Sequence, residues 1–220
     1  MIIICGCGGT GSNLAPMLSR MLKNETFILI DGDLVEDKNI ERQTFQKFDV
    51  GSNKARALAK KLNSNFPNKH LYIDKYIETK EDVLKLITDE TTGELLEPNQ
   101  KFIICGCVDN NASRLILEDL YKNIQLLLED FESNVHYIDS GNEENFGTVL
   151  IDVCRSEFMD MSNDDHPAHH CANQIAAGNL QQYQINLDMA LAIAKVVFAI
   201  ETKKEYPTCI KINGFSRTIE

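Results

Sequence analysis

The stretch Ile2-Ile3-Ile4-Cys5-Gly6-Cys7-Gly8-Gly9-Thr10-Gly11-Ser12 decides how this chain is read. An apolar run ends in a glycine-rich turn, and an amphipathic helix over 11–23 follows, with Leu14, Met17, Leu18 and Leu22 on one face. This is the strand–turn–helix start of a nucleotide-binding α/β unit. Gly6 permits the tight turn, Gly8 lets backbone approach a phosphate, and Gly11 lets the helix pack closely on the strand. The helix N-terminus then offers unpaired N–H groups and its positive dipole end to an anion. A Gly-x-Gly-x-x-Gly alone is a weak signal, and its position between a strand and a helix strengthens it.

Working outward, Phe27–Ile30 reads as a second buried strand, followed by a long polar loop over 33–49. A loop of that length inside a compact domain is usually functional. Helices are expected over 51–62, 79–88 and 111–130, and strands over 70–73, 102–105, 135–138 and 148–153. Residues 89–100 read as a surface loop and 155–170 as an irregular polar segment. Residues 171–201 read as mostly helical with a break near Gly178, and 209–212 as a last strand. His70 and His136 read as surface or boundary residues. Apolar strands alternating with helices give a Rossmann-like α/β fold, a mostly parallel sheet with helices on both faces and a C-terminal helical extension. The expected organisation is a single domain over 1–220, with a nucleotide-binding core over 1–153 and a C-terminal crossover, helix and strand over 154–220.

The net charge is −11 and the pI about 4.9, which argues against nucleic acid or an anionic membrane as the main partner. No apolar run approaches the ~20 residues of a membrane span, and the chain opens directly in a strand rather than in a signal peptide. Seven cysteines, four of them (Cys5, Cys7, Cys105 and Cys107) in apparent core strands, suit a reducing cytoplasm better than a disulfide framework. Cys5-Gly6-Cys7 and Cys105-Gly106-Cys107 read as core packing.

Asp31, at the end of the second strand, is placed to accept hydrogen bonds from ribose hydroxyls, which suits NAD and ATP equally. The following loop separates the two. Arg42 can chelate phosphate oxygens, and Lys54 can act on them as a point charge. Lys54 stands in the first turn of a helix, where a cation is unfavourable unless an anion lies nearby. Asp109 follows a strand expected beside the first, so it overhangs the glycine turn. It can hold Mg²⁺ between phosphates, or Asp109-Asn110 can simply cap a helix.

Gly-x-Gly-Gly-x-Gly, Asp-x-Asp-x-Val, Asn-x-x-Arg-Gln, Asp-x-Gly-x-x-Lys and Asp-Asn, in this order, resemble the ThiF/MoeB/HesA family of ubiquitin-like-protein-activating enzymes over residues 1 to about 153. The resemblance implies that Asp31 binds ribose and that Asn39, Arg42, Gln43 and Lys54 hold the triphosphate, with Asp109 on Mg²⁺. It places Gly6, Gly8, Gly9, Gly11, Asp33 and Asn110 in the same nucleotide site. The implied reaction is Mg-ATP-dependent adenylation of a C-terminal carboxylate on a small ubiquitin-like protein or peptide, by a homodimer. Asp139-Ser140-Gly141-Asn142, Gly147, Asp165-His166-Pro167, Cys171, Gln184 and Asn186 resemble more specifically the ThiF-like proteins of PRTRC gene clusters. The chain departs from the family in two ways. It has no Cys-x-x-Cys, so no structural zinc of that kind is expected, and nothing before Met1 supplies a trans arginine. Cys171 stays open between a thioester nucleophile activated by His166, His169 and His170, a metal site with Cys154, and a structural helix-start cysteine. The alternatives to adenylation are an NAD-dependent oxidoreductase, which leaves Arg42, Lys54 and Asp109 unused, and a non-catalytic nucleotide-binding scaffold.

Overall fold

Ile2–Cys5 (β1), Thr26–Ile30 (β2) and Phe102–Gly106 (β4) are apolar almost throughout because both of their faces are covered. The computed structural model describes residues 1–97, 99–128, 134–142, 146–162 and 183–213, and the backbone of 216–219. With Lys69–Ile73 (β3), Val135–Asn142 (β5), Phe146–Ile151 (β6), Cys209–Asn213 (β7) and Ser216–Ile219 (β8), these strands form one sheet in the order β3-β2-β1-β4-β5-β6-β7-β8. The pairs from β3 to β5 are parallel, and those from β5 to β8 are antiparallel.

Alternate strand residues point to opposite layers. Ile2, Ile4, Phe27, Leu29 and Cys105 pack under helices Gly9–Met21 (α1), Lys54–Asn65 (α2) and Tyr183–Glu201 (α5). Ile3, Cys5, Ile28, Ile30 and Ile104 pack under Glu81–Ile87 (α3) and Asn111–Leu128 (α4). The expected α/β class with helices on both faces holds. β1 lies between β2 and β4, whose crossovers run in opposite directions, so a crevice opens at the strands' C-terminal ends.

The turn after β1 is built as a hinge between strand and helix. Gly6 has φ +90°, and a Cβ on it would run into the carbonyl oxygen of Cys107. A Cβ on Gly11 would overlap the carbonyl oxygen of Gly6. Helix and strand therefore touch backbone to backbone.

Several expectations are corrected. α1 starts at Gly9, and α2 runs from Lys54 to Asn65 because Asn53 caps it, its Oδ1 accepting the Arg56 N–H at 3.0 Å. β5 continues to Asn142, and β8 adds a strand beyond the one expected over 209–212. His70 and His136 are buried. His70 lies 2.9 Å from the Ser19 hydroxyl, and burial pushes its pKa down to about 4. α5 has the length and hydropathy of a membrane span, with 19 residues and a mean hydropathy of 1.4, contrary to the expectation that no run approaches one. Here it is a core helix: Met189, Ile193, Val197 and Ile200 are buried with β6 and β7 residues. The helical expectation over 171–182 and its break at Gly178 lie outside the described residues.

This docking is testable. Ile193→Ala should lower unfolding free energy by about 2–5 kcal/mol in urea titrations. Leu191→Ala, at a position 39% exposed on the same helix, should stay within ~0.5 kcal/mol. Equal costs at the two positions would contradict the buried face assigned here.

Candidate functional site

Three segments converge on the C-terminal ends of β1, β2 and β4. The glycine turn supplies the floor, and α1 points its first N–H groups at the space above. The loop between β2 and α2 supplies one wall. It contains 3₁₀ turns at Asp37–Asn39 and Lys47–Asp49, and Val35 and Phe45 bury themselves in the core to hold it down. Each turn is closed by its own side chain: Asn39 Oδ1 accepts the Glu36 N–H at 2.8 Å, and Asp49 Oδ2 accepts the Gln46 N–H at 2.8 Å.

A proline fixes where this loop lands. Pro16 lies inside α1 and has no N–H for the Ser12 carbonyl four residues earlier. The Thr44 hydroxyl takes that carbonyl instead, at 2.6 Å, and the Thr44 N–H donates to Ser12 Oγ at 3.2 Å. Arg42 and Gln43, just before Thr44, are thereby hung over the glycine turn.

The resulting cavity has a volume of about 530 Å³. Gly6, Gly8, Gly9, Asp31, Asp33, Asn39, Arg42, Gln43, Lys54, Asp109 and Asn110 all border it. Gly11 does not border it and is spent on packing α1 against β1. Cys171, with His166, His169 and His170, lies outside the described residues. Asn110 does two things: it borders the cavity, and its Oδ1 caps α4 by accepting the Ser113 N–H at 2.8 Å.

The charges are arranged around Lys54. Its ammonium is buried and donates to Asp33 Oδ2 at 2.7 Å. Burial works to lower its pKa, but Asp31 and Asp33 outweigh burial and hold it above the ordinary lysine value. The anion that makes a cation tolerable in the first turn of α2 is thus present in the protein itself. Asp31 is raised above the usual carboxyl range, chiefly by burial, with Lys54 pulling the other way. Its two oxygens accept the N–H groups of Cys7 at 2.6 Å and Asp33 at 2.8 Å. Burial would raise Asp33 too, yet the Lys54 ammonium and the Tyr76 hydroxyl bring it below the ordinary value.

Sequence reasoning missed several residues here. Asn53 Nδ2 donates to the carbonyls of Asp31 at 2.8 Å and Asp33 at 3.2 Å, and ties the loop's two ends together. An asparagine just before a helix was the signal for it. Tyr76, after β3, puts its hydroxyl on Asp33. At the far end, the buried Asp139 carboxylate is shared by Arg114, at 3.1 Å, and Arg155, at 2.6 Å, and both arginines border the cavity. Cys5, Cys7 and Cys105 are core residues as expected. Cys154 is buried as well, and burial pushes its thiol up to about 11.

The lining suits a phosphorylated ligand. A Cβ on Gly8 would meet nothing within 4 Å, so no protein packing accounts for a glycine there. The Arg42 side chain has no partner among the described residues, and Gln43 Oε1 is a buried acceptor without one. Among the described residues no cluster of three or more metal-ligating side chains occurs. Asp109 is exposed at the cavity, and among the described residues its carboxylate accepts a side-chain hydrogen bond from the Asn110 amide alone, at 3.4 Å. A lone free carboxylate fits a cation that takes its remaining ligands from phosphates and water.

The fold and the arrangement at its switch point are those of a Rossmann-like α/β protein. Residues 1–211 match the ThiF family, and the chain belongs to it. It is 32% identical over 117 residues to ubiquitin-like modifier-activating enzyme 5 of Rattus norvegicus, a match covering 53% of this chain and 29% of that protein. The enzyme of the same name from Dictyostelium discoideum is 31% identical over 145 residues, covering 66% of this chain and 35% of the relative. The chain thus spans about a third of the length of these relatives. Among solved structures, E. coli MccB with ATP aligns over 100% of this chain and 61% of its own, with a TM-score of 0.64 and 20% identity. PaaA aligns over 100% of this chain and 62% of its own, with a TM-score of 0.65 and 20% identity. These structures share the fold.

The Lys54 cluster predicts a pH signature. Asp33 is held low in the folded state, so its contribution is present above the ordinary carboxyl range and lost as pH falls through it. Lys54→Met should cost about 1–2 kcal/mol at pH 7, Asp33 being half exposed and partly screened by water. The deficit should shrink as pH falls below about 4, the ordinary carboxyl value, and on through the depressed range of Asp33. A deficit independent of pH in urea titrations would show that the charge pair does not carry it.

Proposed function

We propose that this cavity binds Mg-ATP and that the chain activates the C-terminal carboxylate of a small protein or peptide by adenylation. The observation that carries the reading is the pairing of a phosphate-type floor with two cations above it: the glycine turn and α1 N-terminus below, Lys54 at the start of α2, and Arg42 on the loop, without a partner among the described residues. An NAD-dependent oxidoreductase would leave Arg42 without a task. The relatives support the substrate class. Their names give a ubiquitin-like modifier, and MccB was crystallised with ATP and, separately, with MccA.

In this reading Asp31 accepts from the ribose hydroxyls, while the N–H groups of α1 and the side chains of Arg42, Gln43 and Lys54 hold the phosphates. Asn39 serves by shaping the 3₁₀ turn that carries Arg42. Asp109 holds Mg²⁺, which neutralises phosphate charge when bound. A carboxylate oxygen of the substrate attacks the α-phosphorus, and the bond to the bridging α–β oxygen breaks. Pyrophosphate leaves with that electron pair, so an acyl-adenylate forms with no net proton transfer. Lys54 and Arg42 act where charge builds on the departing pyrophosphate. A subsequent thioester on Cys171 and a homodimeric state belong to the same proposal.

Thermal-shift titrations test it. Mg-ATP at 100 times its Kd should stabilise the chain by about 2.7 kcal/mol, and NAD(H) should not. Arg42→Ala and Asp109→Ala should shrink the Mg-ATP shift and lower ATP–pyrophosphate exchange about 10²-fold. A shift with NAD(H) and none with Mg-ATP would replace this reading with the oxidoreductase.

A further inference from the structure

Tyr76 lies in none of the motifs, yet it borders the cavity. The segment after β3 brings it across the end of β2. Its ring lies flat over Gly32: a Cβ on Gly32 would be 2.6 Å from Cγ and 2.7 Å from both Cδ atoms. Gly32 itself does not border the cavity, whereas Tyr76 does. One face of the ring covers Gly32, and the residue, 45% exposed, borders the cavity. At its tip the hydroxyl donates to Asp33, whose other oxygen holds Lys54. The ring is thus fixed from behind and at its end. Burial and then Asp33 push the hydroxyl well above the ordinary phenol value, so it remains a donor. Apolar Ile30, Ile77 and Val108 border the cavity as well.

We infer that Tyr76 is the stacking platform for the nucleotide's base, presenting a fixed aromatic face next to the ribose acid Asp31. The inference rests on the Mg-ATP reading and adds to it the residue that binds the base. A flat ring held at one face and one end loses little freedom when a purine settles on the other face. Gly32 becomes intelligible in the same way, since any side chain there would lift the ring off its seat.

The chain has no tryptophan, so Tyr76→Trp places a single reporter at this position. Mg-ATP and AMP should quench its emission, and inorganic tripolyphosphate, which has no base, should leave it unchanged. In equilibrium binding, Tyr76→Ala should weaken Mg-ATP about 10-fold or more and leave Mg-tripolyphosphate unaltered. Tyr76→Phe, which keeps the ring, should bind Mg-ATP far better than Tyr76→Ala. Gly32→Ala should copy Tyr76→Ala. If wild-type chain binds Mg-ATP and Tyr76→Ala binds it equally well, the platform is wrong and the adenylation reading stands. If Tyr76→Ala loses tripolyphosphate as strongly as ATP, the residue acts through Asp33 and Lys54, and the platform is again wrong. If wild-type chain binds no Mg-ATP, both fall together.

Discussion

The close approach of Gly11 to the carbonyl of Gly6 is the constraint on which the site depends. Removing two Cβ atoms lets α1 meet β1 backbone to backbone, and this fixes the helix N-terminus above the strand ends. A helix start has four unpaired N–H groups, and its dipole favours an anion there. The same contact brings Cys107 over the turn, so β4 delivers Asp109 and Asn110 to the same opening. One packing contact, with no charge in it, sets both sides of the cavity.

A second device brings in the cations. Pro16 strips one helical hydrogen bond from α1 and leaves the Ser12 carbonyl free for Thr44. An acceptor left unpaired in a core costs about 1–3 kcal/mol, so the loop has a physical reason to land there and nowhere else. Asn53 completes the arrangement by holding the carbonyls of Asp31 and Asp33, while Lys54 beside it takes the Asp33 carboxylate. The loop carrying Arg42 and Gln43 is anchored at both ends by hydrogen bonds to buried partners, which suits it to a precise task despite its irregular path.

Much of this was legible in the chain itself. Continuous apolar runs announced the parallel strands, and Gly6, Gly8, Gly9, Asp31, Arg42, Lys54 and Asp109 border one cavity. What stayed hidden has a common cause. Tyr76 and Arg155 follow elements distant in sequence from the motifs, and only the sheet order brings them to the crevice. The antiparallel half was under-read because β5 ends in Asp139-Ser140-Gly141-Asn142, a polar run without strand character. Its Asp139 is tolerable in the core only because two arginines, one on α4 and one after β6, meet it there. His70 escapes the sequence for a similar reason: it is buried against Ser19, 51 residues away in the chain, as well as against Asn63 of the preceding helix.

α5 shows why hydropathy alone misleads in such a fold. Its apolar length would serve a bilayer equally well by composition. Tertiary context assigns it instead: Met189 fits where Gly147 has no side chain, and Ile193 and Val197 fill the layer that α1 and α2 begin. Asn186 near its start could not face lipid cheaply. Here it accepts from the Asn142 amide at 2.9 Å and lies against Gly9 at the glycine turn. A polar residue at the head of an otherwise apolar helix is thus explained by what it touches. The helix is long and apolar because it must cover β5, β6 and β7 as well as α1, and its one buried asparagine brings the C-terminal part of the chain to the turn at which the N-terminal part begins.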